Sequence, residues 1–518
     1  MGIHLKSIRL KGFRSLSDTG RIEIKPITLL LGQNSSGKST FLRSLALLKQ
    51  GTSVRTREPF LWVGELVDFG GITETLSTFS DEKRLSFCYD FDLPSELQLL
   101  RNSHIRKSIS SRSNVSVEIS EVAAPIKNDA TFEYKIQIEK DNLEFVISKD
   151  GSISLLNING KEYTALVAHI AVKHWKGPIP TFARKESDDA FKVLEGDDGS
   201  DFNMALQKFV ATRLHGRTGE QKRDNLIHRL SYFPLAALNA SKSGYIGDTV
   251  WRKHAASWSK TSPDFVELKN LLIGTKFFDY INMIADYTLE VLEKSKYITP
   301  LRASAERYYR KQGLAVDELD AQGRNFALFL DNMSQTDQTG FSRWAQDFFG
   351  ISIAVEENGG HLSVYLTSKE VGAGKVNIAD TGFGFSQIFP ILAQLWVAQR
   401  AGSRKARVSI PIFFSIEQPE LHLHPRLQAN LADVLVNSIN AAKVANIDLR
   451  LVIETHSEYL VNRLGYLIAK NKFSNEDASI LIFDRESYSL PTQLTHATFN
   501  EKGFLENWPY GFFEPVAI

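Results

Sequence analysis

The sequence predicts an α/β fold in which a mixed, mostly parallel sheet is flanked by helices and carries an antiparallel β subdomain and a helical insertion. Three observations lead there. A strand ending in ITLLLG (27–32) runs through a glycine-bearing loop into a helical pattern from Thr40 to Leu48. Between about Leu85 and Leu156 come short alternating stretches (LSFCYDF, VSVEIS, FEYKIQIE, LEFVIS, SISLL), the pattern of an antiparallel sheet. Beyond residue 300 strands and helices alternate, as in a parallel sheet covered by helices.

In chain order, residues 3–10 and 21–31 read as strands, the second leading into the loop. Residues 1–84 form the first part of the core and 85–170 the antiparallel subdomain. Residues 171–300 are mainly helical, with helical spacing over 203–230 and 263–295 and an acidic loop at 186–202. Residues 301–518 complete the core. They hold the LSVYLT strand, a glycine-rich turn before a helix at Ser386 to Gln399, the strand in SIPIFFSIE, a helix from Pro425 to Asn440, the strand DLRLVIET and a helix from Ser457.

Composition narrows the function. A chain of 518 residues suggests about three domains at ~150 residues each. Lys plus Arg is 61 and Asp plus Glu is 60, so the net charge of +1 excludes a globally basic nucleic-acid coat or an acidic tail protein. Basic stretches at Arg213 to Arg229, Arg302 to Lys311 and Arg404 to Arg407 leave local nucleic-acid contact open beside the simpler reading of solvated faces. The one cysteine, Cys88, excludes a disulfide framework and a cysteine zinc site, and points to a reducing compartment, the cytoplasm. No apolar run reaches the ~20 residues of a membrane helix, and the amino terminus lacks the apolar stretch of a secretory signal.

The chemistry concentrates at one motif. Gly32-Gln33-Asn34-Ser35-Ser36-Gly37-Lys38-Ser39, followed by Thr40, fits G-x-x-x-x-G-K-[ST] directly after an apolar strand and before a helix. Its backbone amides and the helix N-terminus cradle phosphates, Lys38 reaches the β- and γ-phosphates, and the Ser39 hydroxyl can ligate Mg²⁺. Such a site next needs an acid at the end of an apolar strand, and PIFFSIEQPE supplies Glu417 as the expected metal ligand. Beside it Gln418 can hold a water but not take its proton, so slow hydrolysis is expected unless Glu420 or His456 substitutes. Reading Glu417, Glu420, His422 and His424 as zinc ligands fails on strand alternation, which leaves the acids and histidines apart.

Three further residues are candidates. Asp380 to Gln387 (DTGFGFSQ) sets Ser386 near a helix start, an anion-binding arrangement that an ordinary helix cap would also produce. DLRLVIETHSEYL ends a strand at Glu454-Thr455 and exposes His456, placed to sense a γ-phosphate or polarise water. Arg302, after YITPL, is either a phosphate contact or part of a structural ion pair.

Together LKSIRLKGFRSL, GQNSSGKST, GFGFSQIFPIL, IEQPELHLHPRLQ and ETHSEYLVNRL resemble the ABC/SMC-like AAA ATPases of bacterial anti-phage defence loci, with heads like those of OLD nucleases and of Septu- or PARIS-type ATPases. NWPYGFF near the end is similar to the C-terminal extension of one subfamily. The likeness covers roughly the first 50 and last 220 residues.

It implies an ABC-type core and two heads that sandwich ATP and Mg²⁺, each P-loop completed by Ser386 of the other head, with Glu417 on the metal and His456 as the switch histidine. FSQ in place of LSGGQ and glutamine at 418 depart from the family pattern. The lid-loop glutamine is expected near Val67 to Gly71. Only about 60 residues follow His456, too few for a Toprim nuclease domain. The implied function is a slow, homo-oligomeric ATPase switch regulating a separate effector, an HNH or Toprim nuclease. The rival reading is a DNA-repair or DNA-translocating SMC-like ATPase. A transporter subunit is disfavoured by the missing LSGGQ, and a GTPase by the absence of N-K-x-D.

Overall fold

The computed structural model of the chain describes residues 4–80, 82–94, 112–123, 131–175, 177–185, 191–193, 201–231, 249–313, 316, 318–368, 374–400 and 411–509. At its centre the strand Ile27–Gly32 lies between Leu449–Glu454 and Ala478–Asp484, with Ile412–Glu417 and Lys296–Ile298 following outward from Leu449–Glu454, all five parallel. Gln493–Phe499 and then Leu505–Glu506 extend the other edge antiparallel. All six residues of Ile27–Gly32 are buried, because both faces of the sheet are covered and alternation has no polar side to show.

Successive side chains point to opposite faces, so the sheet separates two apolar cores. Leu30, Phe413, Val452, Leu481 and Phe483 face the core that holds the helix Lys38–Gln50. Leu29, Leu31, Phe414, Ile416, Leu451 and Ile453 face the other, which receives side chains from Phe383–Ala398, Pro425–Val444 and Glu458–Ala469. The predicted mixed, mostly parallel sheet flanked by helices is thus present.

The antiparallel subdomain is larger than predicted. His4–Phe13, read as a strand next to the core, pairs with Arg84–Pro94 and begins a nine-stranded antiparallel sheet that continues through Arg112–Val122, Thr131–Ile138, Asp141–Ile147 and Ile153–Ile158 to Lys161–Glu162. LSVYLT lies outside the parallel sheet. It falls within His361–Ser368, which forms a hairpin with Ile351–Asn358 through Gly359 and Gly360, both at positive φ. Residues 171–300 are not all helical, since Ile170–Trp175, Pro180–Lys185 and Phe191–Val193 make a small sheet of their own. The helical spacing of 203–230 is carried by two helices, Phe202–Ala211 and Glu220–Ser231, and that of 263–295 by Pro263–Thr275 and Phe277–Lys294, with non-helical Lys276 between. Most of the acidic loop, the Arg404 to Arg407 stretch and the end of the NWPYGFF segment lie outside the described residues. No helix among the described residues is long and apolar enough to cross a membrane.

Cys88 is buried in this sheet, and burial pushes its thiol up to about 12. Glu121 is also buried, opposite Leu85 and Phe132, and accepts a hydrogen bond from Trp62 Nε1 at 3.2 Å. Burial, reinforced by Glu58, pushes its carboxyl from the ordinary 4.5 up to about 8. A carboxyl that keeps its proton longer when folded favours the folded state below pH 4.5 and loses that advantage as pH rises to about 8. Urea unfolding across this window should show wild type losing stability relative to Glu121→Gln, with the difference levelling off above pH 8.

Candidate functional site

The phosphate loop is shaped by close backbone approach. Gly32 has φ +146, and a Cβ there would stand 2.2 Å from the carbonyl oxygen of Phe483 on the neighbouring strand. Gly37 has φ +100 with Ser15 and Leu16 pressed against it, where His4–Phe13 turns back into the antiparallel strand Leu16–Asp18 to form an amino-terminal hairpin. Ser35 is left-handed at φ 62, and Gln33, Asn34 and Ser35 are exposed, while Ser36, Gly37, Lys38 and Thr40 are buried and Ser39 is half-buried. Thr492 Oγ1 donates to Ser36 O at 2.7 Å, and Thr492 N–H donates to Ser15 O at 2.8 Å, so the 492 segment ties loop and hairpin together.

Two observations fit this cradle to a nucleotide phosphate. Lys38 Nζ donates to the carbonyls of Gly32 at 3.0 Å and Gln33 at 2.6 Å, neutral acceptors for a buried cation whose pKa burial lowers. The Ser36 hydroxyl is buried without a hydrogen-bond partner. A phosphate would relieve both.

The acids are arranged differently from the expectation. Glu417 stands at the end of its strand as predicted, but Arg43 holds it with a two-point fork: Nε to Oε1 at 2.7 Å and Nη2 to Oε2 at 2.8 Å. Tyr297 Oη donates to the same Oε1 at 2.7 Å. The expected metal pair Ser39 and Glu417 is therefore not in contact. Ser39 Oγ instead donates to Glu454, 2.7 Å from Oε2 and 3.0 Å from Oε1, and Lys38 Nζ is 4.0 Å from Glu454 Oε1. Glu454 carries the same sequence signal as Glu417, an acid closing an apolar strand. Arg43 and Tyr297 carried no comparable signal, since only the fold brings them to Glu417.

Gln418 sits in the left-handed region at φ 42, and its N–H donates to Glu454 O at 2.8 Å. Glu420 is buried, accepting from His456 N–H at 2.7 Å through Oε1 while Oε2 has no partner; burial raises its pKa. The His456 ring reaches solvent, and partial burial with nearby Lys38 lowers its pKa, which favours neutral imidazole at pH 7.

The signature-like turn packs on the same loop. A Cβ at Gly384 would meet His422 O at 3.0 Å, and Ser386 is only 6% exposed, one turn into the helix Phe383–Ala398. In this stretch Asp380 and Gly382 are exposed.

Arg302 turns out to be a brace. It is 6% exposed, donates through Nη1 to Thr299 O at 3.0 Å and Glu417 O at 3.4 Å, and exchanges main-chain hydrogen bonds with the Gln387 side chain at 3.2 and 3.1 Å. Burial lowers its pKa to about 10, against the pull of Glu420. His424 caps the helix Pro425–Val444 by accepting from Arg426 N–H, and no cluster of three metal-ligating side chains exists among the described residues. The Val67 to Gly71 stretch is anchored by buried Gln50, which accepts from Val67 N–H at 3.0 Å and donates to Val67 O at 3.1 Å, while Arg14 stacks 4.8 Å from the Phe69 ring centroid.

A P-loop on the central strand, an acid ending each of the next two strands and a helix-start turn beside them define a nucleotide-binding ATPase core. The chain belongs to the AAA ATPase domain family, which matches residues 4–461. Smc head domains are structurally similar. That of Pyrococcus furiosus, solved with an extended coiled coil and the C-terminal domain of ScpA, has 13% identity and a TM-score of 0.34 and covers 96% of each chain. That of Pyrococcus yayanosii has 11% identity and a TM-score of 0.35, covering 97% of this chain and 98% of the other. That of Thermotoga maritima has 8% identity and a TM-score of 0.33, covering 95% and 98%. No curated protein sequence matches this chain.

Two outcomes follow from the packing. Gly32→Ala should abolish nucleotide binding in a fluorescent-ATP titration while circular dichroism stays close to wild type. Arg43→Ala leaves Glu417 buried without its cation, with only the Tyr297 hydroxyl bonded to it; with the arginine itself partly exposed, the expected loss in urea unfolding is about 2 kcal/mol, below that for a fully buried pair.

Proposed function

We propose that this chain binds ATP with Mg²⁺ at Gly32 to Thr40, hydrolyses it slowly, and serves as a homo-oligomeric switch that regulates a separate effector, a nuclease of the HNH or Toprim type, in bacterial anti-phage defence. Membership of the AAA ATPase domain family and the phosphate cradle support the ATP part of this reading. The effector and the defence role rest on the sequence resemblance described above. In the proposed site the amides of Asn34, Ser35, Ser36 and Gly37 and the Lys38 cation bind the phosphates, Thr40 follows at the first turn of the helix, and Ser39 offers its hydroxyl to the metal. Bound Mg²⁺ supplies charge neutralisation at the phosphates.

The observation that carries slow turnover is the side chain at 418. Gln418 stands where the attacking water needs a base, next to Glu417, and an amide orients water without accepting its proton. Of the two substitutes named above, Glu420 is buried with Oε1 bonded to His456 N–H, and the His456 ring lies at the surface. Slow hydrolysis suits a protein whose ATP-bound state must persist until a partner responds. In the oligomer Ser386 would complete the other head's site, which requires the buried serine to be presented by a shift of the Gly382 to Ser386 turn.

ATP turnover measured with and without duplex DNA tests the reading. Wild type should turn over slowly and ignore DNA, Gln418→Glu should raise the rate by about tenfold or more, and Lys38→Ala should lose both ATP binding and ATP-dependent oligomerisation. Lys38→Ala binding ATP and assembling like wild type would overturn it. Brisk DNA-stimulated turnover with no gain from Gln418→Glu would replace it with an ATPase that acts on DNA.

A further inference from the structure

Glu417 and Glu454 are partners in register at the ends of adjacent parallel strands, so their backbones lie one strand spacing apart, ~4.8 Å. Their surroundings separate them. Glu417, 2% exposed, is matched on both oxygens by the Arg43 fork and again by Tyr297, which reaches it from the strand Lys296–Ile298 on the outer side. Its charge is balanced and its acceptor positions are largely filled. Glu454 has no such fork. Its close partners are the Ser39 hydroxyl, the group the P-loop offers to a metal, and Lys38 at 4.0 Å, a cation already engaged with two carbonyls.

A hydroxyl that donates its proton to a carboxylate still has lone pairs for a cation, and a hydroxyl beside a carboxylate is a hard-oxygen pair of the kind Mg²⁺ takes while keeping several waters. We propose that Ser39 and Glu454 hold the divalent cation of the ATP site, and that Glu417 is a positioning residue, fixing Arg43 of the P-loop helix against the next strand but one. This rests on the ATP-binding reading above and changes the acid assigned to the metal. For Glu417 to reach the metal, the cation would have to take the one acceptor position left on Oε2 and sit beside the Arg43 guanidinium, against the repulsion of two cations.

The test uses the full chain with Mn²⁺ and a non-hydrolysable ATP analogue. Nucleotide binding is titrated in EDTA, and Mn²⁺ retention is read from the loss of the free-ion electron paramagnetic resonance signal. Glu454→Gln keeps an acceptor for the Ser39 hydroxyl, so nucleotide binding in EDTA should stay near wild type while Mn²⁺ retention falls at least about tenfold. Ser39→Ala should lose Mn²⁺ to a similar degree. The double variant Arg43→Gln with Glu417→Gln, which removes the buried pair together, should retain Mn²⁺ within about threefold of wild type, short of the loss expected on removing a metal-site group.

Mn²⁺ retention close to wild type in Glu454→Gln, or a loss in the double variant as large as in Glu454→Gln, would overturn the assignment. Should the double variant not fold, the Glu454→Gln and Ser39→Ala results decide alone. Failure of the wild type to bind the analogue in EDTA or with Mn²⁺ would overturn the ATP-binding reading itself, a separate result.

Discussion

Two carboxylates ending neighbouring parallel strands, Glu417 and Glu454, set the terms on which the rest of the site is built. Two unit charges one strand spacing apart repel by on the order of 3 kcal/mol at an effective dielectric constant of 20. Both are nearly excluded from solvent. The repulsion contributes to raising the pKa of Glu454, although burial is the larger cause. The fold compensates each acid from a different direction: Arg43 and Tyr297 close on Glu417 from the helix Lys38–Gln50 and the edge strand, while Ser39 and Lys38 close on Glu454 from the start of that same helix. One helix therefore serves the phosphate loop and both acids, so that a displacement of the loop is felt at two strand ends.

A second set of contacts ties the signature-like helix to this region. Arg302 stands between the Glu417 carbonyl and the Gln387 side chain, and its cation faces Glu420, whose other connection is the His456 amide. Arg302 Nε and Glu420 Oε2 are both buried without partners. Unmatched groups of opposite charge in one region are costly at rest and available for rearrangement. The path from Phe383–Ala398 through Arg302 to the Glu417–Gln418 turn and on to His456 links the elements that a nucleotide-controlled switch would have to coordinate.

Much of this is legible in the sequence where chemistry is local in the chain. The P-loop is a contiguous motif whose glycines answer to φ values and close approaches that nothing else satisfies, and the strand before it and helix after it follow from periodicity. The sequence is silent where pairing is non-local and where a short turn redirects a strand. His4–Phe13 looks like a core strand because alternation does not name the partner sheet, and LSVYLT is half of a hairpin because Gly359-Gly360 turns the chain back. Helical periodicity is nearly continuous over 202–231 and 263–294; the break at 212–219 contains Gly216 and Gly219, and the one at Lys276 lies in its backbone angles, φ −107 and ψ 5.

The sequence by itself determined the phosphate loop, the parallel core around it, the acid and the glutamine at 417 and 418 and the membership that follows from their order, because each depends on residues adjacent in the chain or on a repeat of two or 3.6. Tertiary structure decided which acid meets the Ser39 hydroxyl, that Arg43 neutralises the other while Tyr297 hydrogen-bonds it, and that Arg302 is a brace. Those outcomes depend on strands brought side by side from positions hundreds of residues apart, Ile27–Gly32 beside Leu449–Glu454, and no local pattern encodes which side chains then fall within hydrogen-bonding distance.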